Sequence, residues 1–321
     1  MSECYLYRLP NELLLHLFAP IPTPELLPLT TLSHRIYTII LRILHNRLIA
    51  AAYLHSHTLL LECYQPSAKL TEPNYFCAYL GTDGLSIYDE PEPNEKRVGR
   101  LRDMHNLYSR FRPHRRDLEA DGRRVLPRPG DVPGSRTFPG TVQDRHQGET
   151  VKQTLGLDPH ELFTQLVAQI NLVKIGPRNG LFTCFVGVED GVLRVWRDWL
   201  RDTAEKGRTA NIHDSRQNVE QNGKGKEVVR AIENNENDTE DSQVLWVNPL
   251  KNTGIRFNVR ERKLHRDAPI LIRSDEDMPV SYEIEYDELL IRTSHLLLML
   301  EKSMVQEDNS SGKAVVFGSF G

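Results

Sequence analysis

Cysteine is scarce in this chain. Four thiols, Cys4, Cys63, Cys77 and Cys184, are spread over 321 residues, with no C-x-x-C pair and no histidine cluster beside them. That density excludes a disulfide-built secreted scaffold and a Cys/His metal site. It leaves the cysteines as reduced, buried, small apolar residues. An excess of one charge is missing as well. The formal net charge is −4, which carries no global signature of a nucleic-acid binder. No apolar run approaches the ~18 residues of a membrane span. The richest stretch, residues 39–54, is broken by Arg42, His45, Asn46 and Arg47. Arg8 and Pro10 precede the first apolar stretch and no small-residue cleavage site follows, so no signal peptide is expected.

Catalytic signatures are missing too. There is no G-x-S-x-G and no H-E-x-x-H. Gly223-Lys224-Gly225-Lys226 lacks the spacing of a phosphate loop. The Glu189-Asp190 pair suits a turn. Asn237-Asp238-Thr239 and Asn309-Ser310-Ser311 are sequons that matter only in a secreted protein. The expectation is a cytoplasmic or nuclear protein without a catalytic site, metal or cofactor. At 39% hydrophobic and 26% charged residues, it has enough apolar material for a core.

Prolines divide the first 54 residues into three helices. Pro10 suits a first helical turn, and Leu13, Leu14, Leu17 and Phe18 recur at helical spacing. Pro20 and Pro22 stop that helix; Thr23-Pro24-Glu25 starts a second, which Pro28 shortens to about one turn. A third is expected from Leu29, with Leu32, Ile36, Ile40, Ile43 and Leu44 on its apolar side.

Beyond residue 55 strand patterns take over. Strands are expected over 58–64 and 75–80, around Gln65-Pro66-Ser67. A helix is expected over 159–172, where Leu162, Leu166 and Ile170 repeat every four residues. A hairpin is expected over 181–199, turning at Glu189-Asp190-Gly191. Strands follow over 244–247, 254–260 and 280–286. Asp287 then caps a closing helix with Leu289, Leu290, Thr293, Leu296, Leu297, Leu300 and Met304 on one face; a last strand is expected over 314–320. Residues 90–153 and 203–242 read as disordered insertions. The first of these contains residues 96–136, with 12 Lys+Arg against 5 Asp+Glu, and the second contains residues 233–241, with five acids and no base. The fold class is therefore α+β: a helical domain over 1–54, then a β-rich domain over 55–321, expected as a β-sandwich.

Leu9-Pro10-Asn11-Glu12-Leu13-Leu14, Leu17-Phe18, Leu26-Leu27-x-Leu29 and Leu32-Ser33-x-Arg35-Ile36-Tyr37-x-x-Ile40 together resemble the F-box. One departure is the proline-rich corner Ala19-Pro20-Ile21-Pro22-Thr23-Pro24. Residues 60–84, 190–200 and 279–298 extend the resemblance to fungal F-box proteins with a phloem-lectin-like C-terminal region. The resemblance implies a Skp-type adaptor as partner and, through it, a cullin scaffold. It implies a non-catalytic substrate receptor of a ubiquitin ligase, with Leu9, Pro10, Leu13, Leu17, Leu26, Leu27, Leu29, Leu32 and Ile36 facing the adaptor. The residues alone point the same way. Three short helices cannot bury all their leucines against one another, so the surplus is expected to pack on the rest of the chain or on a partner. A protein target, with no nucleic acid and no membrane, is the expected cargo. Trp196, Trp199, Arg194 and Arg197 are candidates to hold it, with Trp246 and Arg201 nearby in sequence, because aromatics and arginine dominate binding hot spots. The competing expectation is a lectin-like or peptide-binding β-sandwich unconnected with ubiquitination.

Overall fold

The computed structural model describes residues 5–69, 74–85, 100–114, 119–120, 123–124, 150–175, 182–220, 243–262 and 279–309. A single turn at Tyr5–Arg8 precedes helices α1 (Asn11–Phe18), α2 (Thr23–Leu29) and α3 (His34–Tyr53). Pro10 and Pro22 are the N-cap residues of α1 and α2, where a missing N–H costs nothing. Pro28 lies inside α2, one residue from its end. The third helix starts later than its apolar pattern suggests. Ser33 caps it by accepting from the Ile36 N–H, so Leu29 belongs to α2 and Leu32 to the turn between them.

The α3 helix serves two cores. Ile36, Ile39, Ile40, Ile43 and Leu44 close a small cluster with α1 and α2. Leu41, Leu48, Ala51 and Ala52 lie in the core of the β-sheet. Leu54, left-handed at φ 49°, turns the chain out of α3, and its burial in the sheet core offsets that strain.

The strands are β1 (Thr58–Tyr64), β2 (Tyr75–Thr82), β3 (Tyr108–His114), β4 (Glu119–Ala120), β5 (Arg123–Arg124), β6 (Lys152–Leu157), β7 (Phe163–Ile175), β8 (Phe182–Trp196), β9 (Val244–Trp246), β10 (Thr253–Arg262) and β11 (Val280–Arg292). Among the described residues the remaining α-helices are α4 (Arg100–His105), α5 (Arg197–Glu220) and α6 (Thr293–Asn309). The class is α+β with a β-rich domain. Within that domain the strands form one nine-stranded sheet, where two stacked sheets were expected. Its order is β8-β7-β1-β2-β3-β11-β10-β9, with β6 also on β11, and β4-β5 form a separate hairpin. The pairings are antiparallel. The sheet curls until its edges nearly meet. A Cβ on Gly191 of β8 would fall 2.7 Å from Val247, just past β9, and Asn248 Nδ2 donates to Glu189 Oε2 at 2.8 Å. Inside, Tyr286 packs on Tyr75 and Phe257, and its hydroxyl donates to Gln153 Oε1 at 2.8 Å.

Three local expectations are overturned. Residues 159–172 are not a helix; most of them lie on β7. A spacing of four fits two strand repeats as well as one helical turn, and the burial of Leu166, Ala168, Ile170 and Leu172 shows period two. The 181–199 hairpin is a single strand to Trp196, followed by α5. Its turn residues sit at a bulge where Asn171 pairs with Gly187 and Ile170 with Glu189. Burial changes phase there, from Cys184, Val186 and Val188 to Leu193 and Val195. Asp287 does not cap a helix. It is the extra residue of a bulge between the pairs Tyr286–Phe257 and Glu288–Arg256, and Leu289 and Leu290 stay on β11. The final helix begins at Thr293, and Met304 is exposed on it.

The two insertions also hold ordered elements. The first contains α4 and β3, and β3 lies between β2 and β11 with Phe111 fully buried. Arg110 and Arg112 alternate there with Ser109, Phe111 and Pro113, so the charge that suggested disorder is one side of a strand. The second contains most of α5, with Thr203 and Ala204 buried. Residues 125–149, 221–242 and the 314–320 strand lie outside the described residues.

Two outcomes follow from this packing. Gly254 of β10 has Trp246 Cε3 and Val244 Cγ1 each 2.8 Å from where a Cβ would sit. Gly254→Ala should cost about 1–3 kcal/mol in urea unfolding, with the slope unchanged. Cys63, Cys77 and Cys184 are buried, and burial pushes the Cys77 thiol far up. Mass mapping after alkylation should find these three unmodified in native protein and modified in urea.

Candidate functional site

Large apolar side chains of the amino-terminal helical segment divide into two sets. Leu14, Phe18, Leu26 and Ile36 are buried in the small helical core. Leu13, Leu17, Leu27 and Leu32 are exposed by 52%, 49%, 41% and 61%. Leu13 and Leu17 stand one helical turn apart, so they share a face of α1. Of the nine adaptor-facing candidates, these four are on the surface with Pro10, while Leu9 and Leu29 are half-buried against the helical core. Leu26 and Ile36 are interior, at 0% and 2% exposure. Both belong to the core that carries the exposed four. Arg35 ties the start of α1 to α3 by donating to Asn11 Oδ1 at 2.8 Å and to the Leu9 carbonyl.

The proline-rich corner between α1 and α2 is held by residues far away in sequence. Arg47 of α3 donates to the carbonyls of Ala19 and Ile21 and to Thr23 Oγ1. Glu301 of α6 accepts from Arg47 Nη1 at 3.1 Å, from Thr23 Oγ1 at 2.6 Å and from the Thr23 N–H at 3.1 Å. The carboxylate therefore meets the free N–H end of α2, where negative charge is favoured. Both charged side chains are about one-fifth exposed, at 19% and 21%. Screening by water is weak at that depth, and the pair carries several hydrogen bonds.

A second string runs beside it. Ser303 Oγ of α6 meets His57 Nε2 at 2.9 Å and Cys184 Sγ at 3.0 Å, and His57 Nδ1 meets Ser56 Oγ at 3.1 Å. A Ser–His–Cys set is the usual material of nucleophilic catalysis. Here Ser303 is fully buried and Cys184 nearly so, which leaves a substrate no approach. The string fastens α6 to β8 and to the segment entering β1.

The expected target-binding group is split. Trp196 is 48% exposed on β8, its ring 5.1 Å from that of Phe163, and the Arg194 guanidinium lies 5.8 Å from the Phe163 ring. Val192, two residues before Arg194 on β8, and Leu162, next to Phe163 in sequence, are exposed by 51% and 67%. Trp199 is on α5, packed on the sheet core edge-on to Phe257. Arg197 donates to the Asp158 carbonyl. Trp246 is half-buried on β9, at the other edge of the sheet. Phe163 was missed because it fell within an expected helix.

Among the described residues, no group of three or more His, Cys, Asp and Glu side chains is placed to hold a metal ion. Among them, too, no helix is long and apolar enough to cross a membrane. No family model, no curated protein and no solved structure matches the chain. Glu301 and Arg47 carried no local sequence signal.

Removing the carboxylate tests that hold. Glu301→Gln leaves Arg47 without its counter-charge and should lower unfolding stability by about 2 kcal/mol. Hydrogen exchange should rise first at residues 19–29, while the sheet core stays protected.

Proposed function

We propose that the chain is the substrate-recognition subunit of a Skp–cullin–F-box type ubiquitin ligase. The observation that carries this reading is the exposure of Leu13, Leu17, Leu27 and Leu32 beside a helical core that is already complete without them. Burying such a half-exposed leucine releases about 1 kcal/mol each, so a partner groove gains from covering all four. Helices laid in an apolar groove are a common recognition mode, and the Skp-type adaptor is the partner that the F-box resemblance supplies. The protein performs no chemistry in this reading. It raises the local concentration of a target near the transferring enzyme. Its place of work is the cytoplasm or the nucleus, where that machinery operates.

A second reading rests on the Trp196–Phe163 patch with Arg194 beside it. An exposed aromatic pair with a cation suits a lectin-like or peptide-binding module. The two readings separate on adaptor binding. Co-purification should recover a Skp-type adaptor with the wild-type chain. Leu13→Asp with Leu17→Asp should lose at least about ten-fold of it, because charge would enter the apolar groove. Both residues are exposed, so circular dichroism and melting should stay within about 0.5 kcal/mol of wild type. Equal recovery of the adaptor by a folded double variant defeats the ligase reading. A glycan-array signal without adaptor recovery favours the second.

A further inference from the structure

On the outer side of the sheet, Tyr108 of β3 and Trp246 of β9 meet with ring centroids 5.4 Å apart. Each ring carries a cation. The Arg292 guanidinium is 5.6 Å from the Tyr108 ring and Lys251 Nζ is 5.6 Å from the Trp246 ring. Tyr108 Oη joins the two halves. It accepts from Arg292 Nη2 at 3.0 Å and donates to the Lys251 carbonyl at 2.7 Å.

This assembly is fixed from below. Trp246 and Val244 lie over Gly254, which has no Cβ to push them away. Lys251 sits at φ 54°, a left-handed conformation that costs a non-glycine residue about 1 kcal/mol. The turn that holds it there is pinned at several points. Lys251 N–H donates to the Asn248 carbonyl, Asn252 N–H to Asn248 Oδ1, Val247 N–H to the Thr253 carbonyl, and Arg292 N–H to the Asn252 carbonyl. Asn248 is anchored in turn on Glu189.

The charges around this platform do not balance. Arg110 is answered by Asp83 and Glu288, Arg256 by Glu288, and Arg112 by Asp287. Among the described residues no carboxylate answers Arg292 or Lys251. Leu250, 70% exposed, stands next to Lys251.

We infer that the Tyr108–Trp246 platform is a docking site for an acidic peptide segment of the target, with one carboxylate between Arg292 and Lys251 and a neighbouring aromatic or aliphatic side chain on Leu250 and Trp246. A charged hydrogen bond to an aromatic-backed cation is stronger than one to a freely hydrated cation. Two unanswered cations match a carboxylate or two, not the repeating phosphates of a nucleic acid, because the neighbouring Arg110, Arg112 and Arg256 are already paired. The platform as a peptide site stands on its own geometry; its role in presenting a target rests on the ligase reading above.

Fluorescence anisotropy on the full chain tests it. The probe is a labelled peptide with a central phenylalanine and two carboxylates on each side. Controls are the same peptide with amides for carboxylates, a phosphoserine version, and a single-stranded oligonucleotide. Lys251→Asn removes the cation and suits the left-handed backbone, so folding is kept; Arg292→Gln removes the second cation. The acidic peptide should bind wild type, weaken as salt rises, and bind each variant about five-fold more weakly. The amide peptide should not distinguish wild type from variants. Equal binding of acidic and amide peptides overturns the inference, as does undiminished binding by Lys251→Asn. Tighter binding of the phosphoserine peptide or the oligonucleotide than of the carboxylate peptide overturns the assigned ligand. Adaptor recovery, read in parallel, separates the two claims. Lys251→Asn should retain the adaptor, and Leu13→Asp with Leu17→Asp should retain the peptide.

Discussion

The Arg47–Glu301 pair is the contact on which the arrangement of this protein depends. Helices α1 and α2 are short, and a corner with three prolines joins them. Neither helix is long enough to hold its own geometry in water. Arg47 collects the corner's carbonyls, and Glu301 binds both Arg47 and the free end of α2. Because Glu301 belongs to α6, which packs on α3, β8 and β11, the amino-terminal helices are fastened to the sheet through charge as well as through apolar contact. The exposed leucines are thereby given one fixed direction relative to the sheet. In the proposed reading that rigidity matters, since a loose linker would dilute the target.

The curled sheet follows from features that look like interruptions. Bulges at Ile170/Asn171, Tyr79/Gly81 and Arg256/Phe257 add residues on one strand only, which bends and twists the pairing. Repeated around nine strands, such bends bring β8 and β9 close enough for Gly191 to touch Val247. The interior then fills with large side chains such as Tyr75, Phe111, Phe257 and Tyr286.

Legibility in the sequence follows the range of the interactions. The amino-terminal helices could be read because proline acts locally, on its own turn. Strands β1, β2, β9 and β10 were legible as short apolar runs beside turn residues, and the first half of β11 from its period-two alternation. Strands β7 and β8 were misread because each carries a pattern that serves two structures: a spacing of four fits both periods, and Glu189-Asp190-Gly191 suits a bulge as well as a turn. Strand β3 was hidden because arginine was taken as a mark of disorder, while its alternation with Ser109, Phe111 and Pro113 carried the strand signal. At the candidate site, chain position distinguishes nothing between Leu13 and Leu14. Burial of one and exposure of the other depend on how α1 lies on α3. The aromatic platform was out of reach for a similar reason, since Tyr108, Trp246, Lys251 and Arg292 meet only through strand order.

Hydrogen exchange on the chain with and without a Skp-type adaptor tests the central claim most directly. The account predicts new protection across residues 9–36, including α1, α2 and the turn that carries Leu32, and unchanged exchange in β8 and β9. Protection confined to the sheet, or no change anywhere at adaptor concentrations that saturate an F-box, would contradict it.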